Sequence, residues 1–446
     1  MVGVLCTRYP LTVDRQGVSS FMKVKLAFGR EGAEVELPSH VQTTVLDAKF
    51  AEAVESEDTA LIEALRRPIG APALLEMARG KKTAAISICD ITRPAPNRVV
   101  LPHVLQTLDQ AGIPRSGVTI LIATGLHRAA TQQELLEIVG PDILARYTVV
   151  SHNARDAAAH IDLGTTRSGT HVLIDQRFIA SDLHISLGFI EPHLMLGFSG
   201  GRKLVAPGLA GEETIKRLHS PFFMRDPKVV EGSFPDNPLH HELLEIARMA
   251  RHDFIIDVAL TKARKIARVF AGDPEAAHAA GVAFVRKVTL ALLEEPVDAV
   301  ITTSAGYPLD LTYYQSVKGV TAASHIVKEG GAILLAAACQ EGLGSPEFTH
   351  FMRRFADANT CLAATAQEPV VIDQWQLEKL ALVAQKVRLA FCTPGIPPAD
   401  RAYLWGPVFE QPAAAVAALC ATLPHGARVA VIPEGPYVFS QIAVAG

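Results

Sequence analysis

The alternation of short, wholly apolar runs with longer helical stretches predicts an α/β protein: two α/β domains with mostly parallel sheets and an active-site cleft between them. Three observations carry that expectation. Runs such as 84–89 and 118–123 are apolar and of strand length, as buried strands are. Helical stretches separate them, as parallel crossovers require. Polar clusters follow the runs directly, where open parallel sheets bind their ligands.

Taken in order, residues 1–21 read as a possible N-terminal extension, and alternation begins only at Met22, in Met22-Lys23-Val24-Lys25-Leu26-Ala27-Phe28. A buried strand over 84–89 ends at Asp90; a Pro-punctuated loop and a helix over 98–111 follow. A second strand, 118–123, ends at Thr124-Gly125, and Thr131-Gln132-Gln133-Glu134 fits a capping box at a helix start. The run 147–150 leads into Ser151-His152-Asn153, and 183–187 leads into Gly188. After a helical stretch around 275–294, a second series places strands at 298–303, 332–336, 387–391 and 428–432, with helices at about 315–329 and 412–422. The boundary is drawn near residue 290, giving an N-terminal cofactor-binding and catalytic domain over 22–290 and a C-terminal domain over 291–446 that completes the substrate site.

Composition narrows the function. The chain has 446 residues, 49% hydrophobic and 20% charged, a packed globular balance sufficient for two or three domains. Lys+Arg 42 against Asp+Glu 46 gives a net charge of −4, which excludes a strongly basic nucleic-acid footprint and an electrostatic membrane anchor. No apolar run has transmembrane length, and the first residues hold no secretory core. The 6 cysteines form no C-x-x-C pair, which fits buried thiols in a reducing cytoplasm.

The first strand delivers Asp90-Ile91-Thr92-Arg93-Pro94, a carboxylate and a guanidinium close together. Arg93 suits a small carboxylate, because its planar fork binds both oxygens; an Asp–Arg pair that only organises the loop is the alternative. The second delivers His127 past a glycine, suited to acid–base work near neutral pH or to a plain loop contact. His152 reads as structural or as a support behind the site residues. The densest cluster runs from Gly188 through Glu191-Pro192-His193 and Gly197-Phe198-Ser199-Gly200-Gly201-Arg202 to Lys203, followed by Pro207-Gly208. Its glycines can turn backbone N–H groups toward an anion, yet the loop is not a Walker A motif, since Arg202 stands where Gly must precede Lys. Lys203 is a phosphate contact, a nucleophile toward a cofactor, or a surface lysine after a turn. His219 closes a short helical pattern, where the dipole alone would favour it. His240-His241-Glu242 opens like a zinc-protease helix but has Glu245 where the second histidine belongs. Further on, Gln315 and Lys318 share a helix face.

Together, Asp90-x-Thr92-Arg93-Pro94, Ala123-Thr124-Gly125-x-His127-Arg128, Pro192-His193 with Gly197-Phe198-Ser199-Gly200-Gly201-x-Lys203, His219, and Tyr314-Gln315-x-x-Lys318 resemble the nickel-pincer-nucleotide-dependent lactate racemase family, in the family's order and approximate spacing from about Met22 onward. The resemblance implies racemisation or epimerisation of a 2-hydroxy acid by reversible hydride transfer. It implies a nickel pincer nucleotide, the nickel complex of pyridinium-3,5-bisthiocarboxylic acid mononucleotide, made by separate cofactor-biosynthesis proteins. By the same resemblance Lys203 tethers the cofactor, His219 is the single protein ligand to nickel, and His127 and His193 are the two acid/bases. Arg93, Gln315 and Lys318 hold the substrate carboxylate, Asp90 belongs to the network that positions these groups, and Trp375 matches an aromatic near the site. Loop chemistry adds Ser199, Gly200 and Gly201 as a cradle for the cofactor phosphate, and Tyr314 with Trp375 suits a compact substrate. Competing readings are a hydrolase or lyase with a conventional metal on some of the 16 histidines, a pyridoxal-phosphate enzyme with Lys203 as Schiff base, and a non-catalytic binding module for a sugar acid or nucleotide.

Overall fold

A computed structural model describes residues 21–443. The expected extension over 1–21 therefore lies outside the described residues, except for Phe21. The chain divides into two compact units, Phe50–Val288 and, from both ends, Met1–Lys49 with Thr289–Gly446.

The unit Phe50–Val288 is built on a six-stranded sheet in the order Ile266–Gly272, Phe254–Leu260, Leu183–Phe189, Ala84–Cys89, Val118–Ala123, Thr148–Ser151. All neighbours are parallel except the first two, which form an antiparallel edge. Every residue of Ala84–Cys89 and Leu183–Phe189 is buried, His184 and Ser186 included, because the sheet is covered on both faces. The helix Asn97–Gln110 packs Val100, Leu101, Val104, Leu105 and Leu108 into the core at helical spacing. The capping box at Thr131 forms as expected, with both Thr131 and Glu134 engaged. An antiparallel pair, His160–Thr165 with His171–Asp175, was not legible in the pattern.

The second unit has a six-stranded, fully parallel sheet in the order Val408–Phe409, Arg388–Cys392, Val327–Ala336, Val297–Thr303, Arg428–Ile432, Gln42–Val45. Its last strand corrects the expected boundary: residues 22–49 do not belong with 50–288. Gln42–Val45 pairs in parallel with Arg428–Ile432, and the hairpin Phe21–Leu26/Ala33–Pro38 buries Val24, Leu26, Val35 and Leu37 with the helix Pro412–Ala421. Two helix expectations also change. The stretch expected over 275–294 is helical over Ala276–Thr289; Leu290–Leu293 is a strand paired with Phe439–Ile442, a tertiary pairing that overrides the helix preference of Leu and Ala. The helix Tyr313–Ala323 ends before 329, because the chain enters the long strand Val327–Ala336.

Candidate active site

Within Phe50–Val288 the chemistry gathers beyond the carboxyl ends of three adjacent strands. Ala84–Cys89 lies between Leu183–Phe189 and Val118–Ala123, so the loop opening at Asp90 is flanked by those carrying His193 and His127. Buried Asn97, at the start of the following helix, donates its side-chain amide to the Cys89 carbonyl at 3.2 Å and fixes the strand end. Asp90 is thereby held almost out of solvent. Its Oδ1 accepts from the Thr92 hydroxyl at 2.6 Å and the Thr92 amide at 3.2 Å; its Oδ2 lies 2.6 Å from His127 Nδ1. Gly125 turns the His127 loop at φ +53°, in the left-handed region that suits glycine.

The two side chains differ sharply in exposure, 8% for Asp90 and 51% for His127. Burial pushes the Asp90 carboxyl up, but the hydrogen bonds from His127 and Thr92 and the charge of Arg93 outweigh it and leave it below the usual carboxylate range. Ionised Asp90 only accepts, so His127 Nδ1 carries a proton. Asp90 therefore serves His127 and Thr92 and forms no ion pair with Arg93, whose guanidinium reaches the Thr92 carbonyl at 3.4 Å. His193 sits on the two-residue ribbon Pro192–His193, antiparallel to Gly197–Phe198, and its Nδ1 accepts from the Met195 and Leu196 amides, both at 3.3 Å.

The loop read as a phosphate cradle is turned inward. The Ser199 hydroxyl donates to the Phe189 carbonyl at 2.9 Å and accepts from the Glu191 amide at 3.0 Å, while the Ser199 amide donates to the Glu191 carbonyl. Ser199 thus locks the loop instead of presenting its hydroxyl proton to a ligand. Gly200 and Gly201 are shaped by a residue the sequence reading missed, Asp257. A Cβ on Gly200 would stand 2.6 Å from Asp257 Oδ2, and one on Gly188 2.7 Å from Oδ1. Asp257 is fully buried with no hydrogen bond of normal geometry to either oxygen, and burial pushes its carboxyl up to about 7. Arg202 is fully buried too, donating to the Gly200, Leu196 and Phe198 carbonyls and meeting His278 Nε2 at 2.6 Å. A lone acid inside the apolar strand Phe254–Leu260 was the available signal for Asp257; nothing local marked Arg202 as buried.

Lys203 follows in the turn Gly201–Leu204. His219 caps the helix Glu212–Leu218 and donates Nδ1–H to the Ile215 carbonyl at 2.8 Å, which puts its lone pair on Nε2. Burial lowers its pKa to about 4, and the charge of Lys203 adds to the lowering, so His219 is neutral at pH 7 and Lys203 is nearby. The buried Cys89 thiol, pushed up to about 12 by burial, feels Arg93, Asp90, Lys203 and Asp257 together. Asp90, Arg93, His127, Lys203 and His219 are thus placed in one region of this unit. A neutral imidazole held by its second nitrogen suits a metal ion. No group of three or more His, Cys, Asp or Glu side chains able to hold a metal occurs among the described residues.

The other expected residues belong to the second unit. Lys318 Nζ donates to Gln315 Oε1 at 2.6 Å on the helix Tyr313–Ala323, as their spacing predicts. Tyr314 packs edge-on against Phe348, and Trp375 is buried near the start of the helix Gln374–Ala384. The His240 ring stacks on His278 and Glu242 accepts from Thr166, a structural cluster.

The fold and the geometry define a class: an α/β protein with a carboxylate-held imidazole beyond the carboxyl ends of a mostly parallel sheet. Comparison with known proteins takes this further. The family model for the lactate racemase N-terminal domain matches residues 28–232, and that for the lactate racemase C-terminal domain matches 292–439. A lactate racemase of Lactiplantibacillus plantarum is 36% identical over 85% of this chain and 90% of its own length; one of Thermoanaerobacterium thermosaccharolyticum is 34% identical over 81% and 85%. The solved lactate racemase apoprotein of the latter organism superposes with a TM-score of 0.87 at 32% identity, covering 94% of this chain and all of that one. The chain belongs to the lactate racemase family.

Proposed function

We propose that this chain interconverts the two enantiomers of lactate, and that it does so with a nickel pincer nucleotide. The observation that carries the reading is the placing of the Asp90–His127 pair, Arg93, Lys203 and His219 in one region of the unit Phe50–Val288, at the positions that match the family's motifs. Lys203 would tether the nucleotide, and His219 Nε2 would give nickel its protein ligand, with the organic ligand supplying the other donors. When bound, that group supplies an acceptor that takes a hydride from the substrate and gives it back.

The rest falls to the chain. Arg93 pairs with the substrate carboxylate; for Gln315 and Lys318 the same role rests on their match to the family's motif. His127 Nε2 takes the hydroxyl proton, and the adjacent Asp90 carboxylate stabilises the imidazolium that forms. His193 manages the proton for the opposite enantiomer. The oxygen of the transient 2-oxo acid is met by an imidazole on either side, so a hydrogen returned to the second face yields the mirror image. Tyr314 and Trp375 favour a compact acid. The five described cysteines are all buried and free, which supports a cytoplasmic setting, and no helix among the described residues is long and apolar enough to cross a membrane.

The test is polarimetry. Protein co-produced with the cofactor-making proteins, given one enantiomer of lactate, loses optical rotation to zero; unchanged rotation with cofactor demonstrably bound would overturn the reading. His219→Ala lowers the nickel content of the purified protein.

A further inference from the structure

The two site histidines are anchored through the same ring nitrogen by partners of opposite kind. His127 Nδ1 faces Asp90, an ionised carboxylate that only accepts. His193 Nδ1 faces the amides of Met195 and Leu196, which only donate. A neutral imidazole carries one proton, and the anchor decides where it sits. From this geometry we infer that the two rings rest in opposite tautomers: His127 holds its proton on Nδ1 and offers a lone pair at Nε2, whereas His193 holds its proton on Nε2 and offers a donor there. The inference rests on the racemase reading only for its catalytic meaning; the proton positions follow from the anchors alone.

With Nδ1 occupied in each ring, Nε2 is the nitrogen that meets a substrate. A hydroxyl placed at His127 finds an acceptor at once, and the resulting imidazolium keeps its bond to Asp90. A hydroxyl placed at His193 finds an N–H. It passes its proton to Nε2 only after the ring proton has moved to Nδ1, which breaks both amide contacts. Before that, the His193 N–H is a neutral donor that polarises the oxygen of a 2-oxo acid, a role a neutral imidazole performs well. Asp90, Met195 and Leu196 are therefore positioning residues with different effects: Asp90 makes a base, and the two amides make a donor.

The tautomers are read directly by long-range 15N–1H correlation of imidazole-labelled apoprotein at about pH 8.5, well above the ordinary imidazole pKa of about 6.5. His127→Gln and His193→Gln assign the two rings. The expected spectrum gives His127 a protonated Nδ1 and an unprotonated Nε2, and gives His193 the reverse. Asp90→Ala moves only His127, toward the averaged pattern of a free imidazole. The same tautomer in both rings, or an averaged pattern for either in the wild-type protein, overturns the inference. The racemase reading is tested separately by polarimetry and survives or fails without reference to this spectrum.

Discussion

His127 and His152 each follow a strand of the same sheet, and each holds an aspartate through Nδ1: His127 to Asp90 at 2.6 Å, His152 to Asp175 at 2.9 Å. They part at the second nitrogen and in their surroundings. His152 Nε2 is tied to the Ala210 carbonyl at 2.9 Å and the side chain is fully buried, with Asp175 also bound by Arg177. The His127 side chain is half exposed. A carboxylate behind an imidazole is therefore no sign of catalysis by itself. It makes a base where the far nitrogen can reach a substrate, and a rivet where both nitrogens are spent. The two are also joined, since the Thr124 hydroxyl, in the His127 loop, donates to the His152 carbonyl at 2.7 Å.

The contrast breaks most visibly at His127 itself. His127→Gln is expected to lower kcat about a thousandfold, the scale of a lost acid/base, while the urea midpoint and nickel content stay near wild type. His152→Leu is expected to do the opposite: about 3 kcal/mol of stability lost in urea unfolding, as for a broken buried ion pair, with activity falling only as the folded fraction falls. Asp90→Asn keeps the shape but lets an amide N–H face the ring, and kcat is expected to drop about a hundredfold.

A third aspartate sharpens the same comparison. Burial raises the Asp175 carboxyl, but Arg177 and His152 outweigh it and hold it well below the usual range; Asp257, equally buried, lacks such partners and is pushed up to about 7. A raised native pKa means the folded state keeps a proton that the unfolded chain has lost above its ordinary value of 3.8. This contribution to stability is full below that value and fades as pH rises to about 7. Urea midpoints measured across this window should decline with pH in the wild type, and Asp257→Asn should remove that part of the slope. The smallest effect is expected at Thr92→Val, which takes one hydrogen bond from Asp90 Oδ1 and should cost about tenfold in kcat with no change in fold.

What the sequence could show follows from these same residues. Asp90 stands directly after a largely apolar run and His127 a few residues after another, so strand ends and candidate chemistry were readable together. The inner bonds of Ser199 were not, because its partners Phe189 and Glu191 meet it only once the ribbon at Pro192–His193 has folded back. Nor could the chain reveal that Gln42–Val45 pairs with a strand nearly four hundred residues later, or that Leu290–Leu293 is a strand: both depend on partners remote in sequence. Arg202 was readable only as the residue that breaks a Walker A pattern, and is a buried hub of carbonyl contacts.

The most direct test of hydride transfer is to let cofactor-loaded protein racemise a single enantiomer of lactate in D2O and follow Cα by proton NMR. Hydrogen carried off and returned as hydride, with the histidines moving only the hydroxyl proton, predicts full loss of optical rotation with the Cα hydrogen retained. Deuterium appearing at Cα in step with racemisation would mean that a side chain removes that hydrogen as a proton, and would contradict the roles of His127, His193 and Asp90 in handling the hydroxyl proton alone.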